Sequence, residues 1–171
     1  DEFKFAVNSK DSIDMYSRMY ASTLELLAMK GKLDKPFILC EYSHAMGNSC
    51  GDLADYEQII ENEPSYCGGF IWELINHSIV VDGKYLYGGD FGEDPNDGNF
   101  CMDGLIGIDR KIFPEMHDVK HIFSYIKVHQ LDRNTYEIKN NKYFTKLENI
   151  KCVLKYEYDG IILKEKEIFV E

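Results

Sequence analysis

Two apolar runs, Phe37-Ile38-Leu39-Cys40 and Cys67-Gly68-Gly69-Phe70-Ile71-Trp72, are separated by a segment with helical spacing. A connection of that length excludes a hairpin and leaves parallel strands joined by a helical crossover. The same unit precedes it. Ser12-Ile13-Asp14-Met15-Tyr16 alternates as a short strand, and Ser22-Thr23-Leu24-Glu25-Leu26-Leu27-Ala28-Met29 has N-cap residues and helical spacing as far as Gly31. A second helix is predicted over Asp52–Glu63, with Leu53, Tyr56, Ile59 and Ile60 on one face and Pro64 as its stop. Strand, helix, strand, helix, strand predicts an α/β fold with a parallel sheet. Phe37–Cys40, entered through Pro36, reads as a strand buried on both faces, so Cys40 and Cys67 are expected to pack as small hydrophobes.

Beyond Trp72 the chain makes a long Gly/Asp/Asn-rich excursion over residues 77–112. Its aromatic residues and Met102 predict an ordered active-site loop, the usual purpose of so long a connection. Pro114–Tyr125 is a further predicted helix, with Pro in its first turn and Met116, Val119, Ile122 and Phe123 as its apolar face. From about residue 127 the period changes to two, in Tyr136–Asn141 and Lys151–Tyr158. Asp159-Gly160 then joins the latter to Ile161–Val170, a strong hairpin signal. The expected division is therefore residues 1–126, an α/β part, and residues 127–171, the start of an all-β module. The chain opens in mid-pattern and stops within that module, as though cut from something longer.

The 171 residues are 44% apolar and 13% aromatic, enough for a packed core. A formal charge of −11 argues against nucleic acid and anionic membrane surfaces as partners. No apolar run reaches the length of a membrane span, and no signal peptide opens the chain. Five scattered cysteines without metal-type pairing fit a reducing compartment, and a cytoplasmic protein is expected.

The chemistry gathers where the strands stop. Glu41 follows the apolar run directly, and Tyr42, His44 and Asn48 come within the next few residues, while Tyr16 and Trp72 end two other strand candidates. Parallel α/β folds collect their functional groups at such ends. A lone strand-end Glu reads first as an ion-pair partner; this company changes that. Indole and phenol faces stack on the C–H surfaces of a sugar, and planar polar groups read its hydroxyls. Carboxylates beside an oxocarbenium-like centre are the recurring machinery of glycoside hydrolysis.

The string "ILCEYSHAMGNS", followed in order by "GGFIWE", "YGGDFGEDPNDGNFCMDGL" and "DR" before a helix, closely resembles the β-galactosidases of glycoside hydrolase family 2. The resemblance implies the C-terminal part of a (β/α)8 TIM barrel, roughly its sixth to eighth strands, followed by the beginning of a β-sandwich. It implies that Glu41 is the nucleophile of a retaining mechanism on terminal β-D-galactosyl residues. By the same likeness Tyr16, in "MYSR", hydrogen-bonds that nucleophile, His44 contacts the galactosyl group, and Trp72 supports its apolar face. Phe100, through its carbonyl, and Asp103, through its side chain, match residues that bind Na+ beside the sugar. Asn48, Asp90 and Asp97 lie in matching motifs and are expected to support the loop.

The departures are specific. The best-known members have Asn at the position of Asp103, and they carry Trp and Asp where this chain has Leu74 and Asn76. The general acid/base Glu and the Mg2+ ligands lie upstream in the family, and no second carboxylate here matches the acid/base motif. The implied partner is therefore the remaining N-terminal part of the enzyme, which is expected to be a homo-oligomer when intact. This chain alone is expected to be inactive. A β-glucuronidase or β-mannosidase on the same barrel is the first rival, and a catalytically silent remnant with a binding role the second.

Overall fold

The computed structural model describes residues 13–148 and 150–170. The chain divides into one compact unit ending at Phe123 and a second beginning at Ser124. The first unit holds a parallel sheet of three strands, β1 (Tyr16–Met19), β2 (Phe37–Tyr42) and β3 (Tyr66–Ile71), in that order. Helix α1 (Thr23–Met29) connects β1 to β2, and α2 (Leu53–Glu61) connects β2 to β3. Both helices begin and end close to where the sequence places them.

Local chemistry accounts for the boundaries. Ser22 caps α1 in a reciprocal box: its hydroxyl accepts from the Glu25 amide, and the Glu25 carboxylate accepts from the Ser22 amide at 2.8 Å. Gly31, at φ +70°, takes the chain out of that helix. The expected strand over Ser12–Tyr16 sits later, at Tyr16–Met19; Ser12 itself lies outside the described residues.

The core lies between the sheet and the helices. Phe37, Leu39 and Tyr42 of β2 pack with Leu26 and Met29 of α1, Leu53 of α2 and Val119 of α3 (Glu115–Ile122). Two phenols satisfy their hydroxyls on backbone carbonyls: the buried Tyr66 donates to that of Leu26 and the half-buried Tyr56 to that of Ala21 at 2.8 Å. The expectation of burial on both faces is corrected here. Side chains alternate across a strand, so Ile38 and Cys40 point away from Phe37 and Leu39. Cys40 is exposed, as is Cys67, and neither packs as a core hydrophobe.

Residues 77–112 contain a hairpin that the excursion conceals. β4 (Ile79–Val81) pairs antiparallel with β5 (Lys84–Leu86) through Asp82-Gly83, both left-handed at φ +50° and +75°. That is the backbone of a type I′ turn, which Asp-Gly favours. The predicted helix over Pro114–Tyr125 is shorter, with Pro114 as its cap and Phe123 beyond its end.

In the second unit, β6 (Ile126–Gln130) pairs with β7 (Tyr136–Asn140), and β8 (Ile150–Tyr158) with β9 (Ile161–Val170), all antiparallel. Asp159-Gly160 is the turn expected, with φ +51° and +78°. Ion pairs Lys151–Glu167 and Lys155–Glu165 line one side of that hairpin. Among the described residues the four strands form two separate two-stranded sheets, where the sequence reading expected the start of a sandwich. No helix among the described residues is long and apolar enough to cross a membrane.

Candidate active site

Parallel strands all finish on one side of their sheet, so the residues just past each strand are brought together there. Tyr20 follows β1, Ser43 and His44 follow β2, and Trp72 follows β3. Backbone bonds tie these exits to one another. The Tyr20 amide donates to the Glu41 carbonyl at 2.8 Å, the Trp72 amide to the Tyr42 carbonyl at 3.2 Å, and the Ala45 amide to the Trp72 carbonyl at 2.6 Å. Tyr20 and Ser43 both have left-handed backbone, at φ +51° and +48°. For a bulky aromatic that region is uncommon, and here it turns the chain sharply at the sheet's rim.

The structure corrects one residue outright. Tyr16 stands at the opposite end of β1, 2% exposed, with its hydroxyl on Asp34 Oδ1 at 2.8 Å. Four residues of extended chain span about 13 Å, so Tyr16 and Tyr20 occupy opposite rims of the sheet. It is Tyr20 that stands with the Glu41 carboxylate, both lining the same cleft. Partial burial, then its interaction with Glu41 and the charge of Asp103, push the Tyr20 phenol up to about 12.

Asp103 is the hub of the opposite wall. It is 2% exposed, and its Oδ2 accepts from Trp72 Nε1 at 3.1 Å and lies 3.2 Å from His44 Nε2. Oδ1 of the same carboxylate is buried without a hydrogen-bond partner among the described residues. With its N–H committed, the Trp72 indole stays 39% exposed and its ring is open to the cleft. The His44 ring meets Tyr20 edge-on and stacks beside Phe100, each at 5.9 Å between centroids. Glu73, beside Asp103, has its carboxyl held above the ordinary carboxylate range, chiefly by burial and then by its contact with Asp103; His77 Nδ1 lies 3.2 Å from it.

A loop forms a further wall. Glu93 accepts the Gly89 amide at 2.6 Å on one oxygen and the Phe91 amide at 3.1 Å on the other. Asp90 accepts the Tyr87 amide at 2.8 Å, Asn96 that of Gly98 at 3.0 Å, and the Gly88 amide bonds the Gly98 carbonyl. The cleft between them is open on one side, has a volume of about 1150 Å³, and is lined by Tyr20, Glu41, His44, Trp72, Phe100 and Asp103 together with this loop. Of the residues the sequence singled out, Glu41, His44, Trp72, Phe100, Asp103 and Asp97 line it. Tyr16 does not, and Asn48 is exposed outside it. Tyr20 and Glu93 are the two that sequence reasoning missed.

Residues 4–128 match the family description "Glycosyl hydrolases family 2, TIM barrel domain". The chain belongs to glycosyl hydrolase family 2. Within that family it is similar to the β-galactosidase of Actinobacillus pleuropneumoniae, 42% identical over 91% of this chain and 16% of the relative. The β-galactosidase of Staphylococcus xylosus is 43% identical over 94% of this chain and 15% of its own length. That of Halalkalibacterium halodurans is 38% identical over 92% and 16% respectively. The chain thus spans about a sixth of the length of these family 2 relatives. A solved β-glucuronidase of Bacteroides uniformis superimposes on 90% of the chain and 21% of its own with a TM-score of 0.39 at 16% identity, too loosely to bear on either fold or chemistry.

Proposed function

We propose that this chain is the nucleophile-bearing part of a larger retaining β-galactosidase. The observation that carries the reading is the place of Glu41, at the end of the central strand, with its carboxylate in a cleft shared with the Tyr20 hydroxyl and the open Trp72 ring. The names of the relatives supply the sugar. In this mechanism a Glu41 oxygen attacks the anomeric carbon as the glycosidic bond breaks. The departing oxygen takes its proton from a general acid that another part of the protein supplies. Water, deprotonated by that same group, then displaces Glu41 and releases the sugar with its configuration retained. Tyr20 keeps Glu41 oriented, the Trp72 ring carries the sugar's apolar face, and His44 and Asp103 read its hydroxyls.

Asp103 also fits the Na+ site that the resemblance implies. Its Oδ1 is buried, unpartnered among the described residues and a hard oxygen donor, the type such cations take. With the Phe100 carbonyl it would hold the ion, which supplies a ligand position for a sugar hydroxyl. Mg2+ belongs to parts of the enzyme beyond this chain. In the intact protein the two hairpins of the second unit would open a β-sandwich. Five free cysteines suit a cytoplasmic enzyme.

A β-glucuronidase is the second reading, and the cleft disfavours it. The described lining carries Glu41, Glu93, Asp97 and Asp103 and neither Lys nor Arg, an unfavourable setting for a uronate carboxylate. Two measurements on the intact enzyme test the proposal. A 2-fluoro galactosyl donor with a good leaving group should accumulate as an ester on Glu41, and a label found on another residue sinks the assignment. A panel of aryl glycosides should give galactoside turnover well above glucuronide and mannoside, and the reverse order would replace the substrate.

A further inference from the structure

Segments 73–77 and 101–106 are zipped together beneath the cleft. The Glu73 amide donates to the Asp103 carbonyl at 2.9 Å, Leu105 to Glu73 at 2.9 Å, Ile106 to Leu74 at 3.0 Å, and Asn76 to Ile106 at 3.1 Å. One bond in the set uses a side chain: Asn76 Oδ1 accepts the Gly104 amide at 2.7 Å, and Asn76 is only 5% exposed. The approach is close enough to require glycine. A Cβ on Gly104 would lie 2.2 Å from the Asn76 nitrogen and 2.4 Å from the Ile75 carbonyl carbon. Gly104 directly follows Asp103, whose carboxylate receives Trp72 and approaches His44.

We propose that Asn76 is a positioning residue, which by accepting the Gly104 amide holds the Asp103 carboxylate where the Trp72 indole and the His44 imidazole both reach it. A buried amide without an acceptor is unfavourable, so losing the Asn76 oxygen would let the 103–104 segment move toward another partner. The indole and imidazole would then lose their common acceptor. The inference rests on the sugar-site reading only in making Trp72 a platform; the hydrogen-bond chain stands without it.

Trp72 is the chain's only tryptophan, so intrinsic fluorescence reports this one indole without any assay of activity. Asn76→Leu, Asn76→Asp, Asp103→Leu and the Asn76→Leu/Asp103→Leu pair are compared in the 171-residue chain, with circular dichroism as the check on folding. Asn76→Leu is expected to shift the emission maximum in the same direction as Asp103→Leu. The pair should shift no further, and Asn76→Asp, which keeps an acceptor, should retain the wild-type maximum. Wild-type emission from Asn76→Leu or from Asp103→Leu overturns the proposal. So does a shift in Asn76→Asp as large as that in Asn76→Leu, because packing of the amide would then be responsible. If Asn76→Leu loses its dichroism, Asn76→Ala takes its place with the same two outcomes.

Discussion

Replacing Glu41 by Gln in the intact enzyme removes the attacking oxygen while keeping the shape, and turnover should fall by roughly 10⁴–10⁶-fold, the scale seen when a covalent nucleophile is lost. The two tyrosines of β1 and its exit should separate cleanly. Tyr20→Phe removes the hydroxyl's interaction with the Glu41 carboxylate, about 1.5 kcal/mol at the exposed end of the range, so kcat should drop roughly tenfold. Tyr16→Phe removes the bond to Asp34 on the far rim and should leave kcat unchanged; equal losses from both would put Tyr16 back in the site. The Tyr20 phenol gives a further test. Its folded value, about 12, is raised above the ordinary 10, so its interaction with Glu41 is fully present below pH 10 and lost as the pH climbs through about 12. Burial raises the Tyr42 and Tyr66 phenols as well, so ultraviolet titration should show several late phenols, of which Tyr20→Phe removes one. At this scale Glu41, His44 and Trp72 were legible because each stands next to a strand end. Tyr16 was mistaken because Met-Tyr occurs twice, at 15–16 and 19–20, and placing β1 too early put the first pair at the wrong end.

The capped helix α1 and the loop that walls the cleft invite tests of their own. Ser22→Ala removes one half of the capping box and should lower stability by about 1 kcal/mol in denaturant melts. Gly104→Ala should fare worse, because its methyl meets backbone on the facing segment with no flexible side chain to yield. A melting temperature equal to wild type would mean that the two segments are not in contact. Amphipathic spacing made α1, α2 and α3 readable to within a few residues. The hairpin at Asp82-Gly83 carries the same dipeptide signal that identified Asp159-Gly160, yet its short strands are bordered by a glycine-rich segment that masked them. Nothing in local sequence announced Glu93. Its work is to collect amides four and two residues back, a geometry set by the turn itself.

For the whole molecule, the unburied apolar surface is the dominant fact. Leu24 is 76% exposed on α1, and Phe70 is 63% exposed on β3, with Met19 and Leu74 also uncovered. Apolar side chains left uncovered in this number favour association, so sedimentation of the chain alone should show oligomers. Purified alone it should not hydrolyse an aryl galactoside, because a retaining site needs a second carboxylate about 5–5.5 Å from the first. Steady turnover by this chain would show that it holds its own general acid. The order of strands sets one more property. β2 has a hydrogen-bonded neighbour on each side, whereas β1 and β3 each have one in the described sheet. Fraying therefore starts at the outer strands and reaches the middle last. In heavy water the amides of Phe37–Tyr42 should be the slowest to take up deuterium, so the segment bearing the reactive carboxylate would hold its form after its flanks had begun to open.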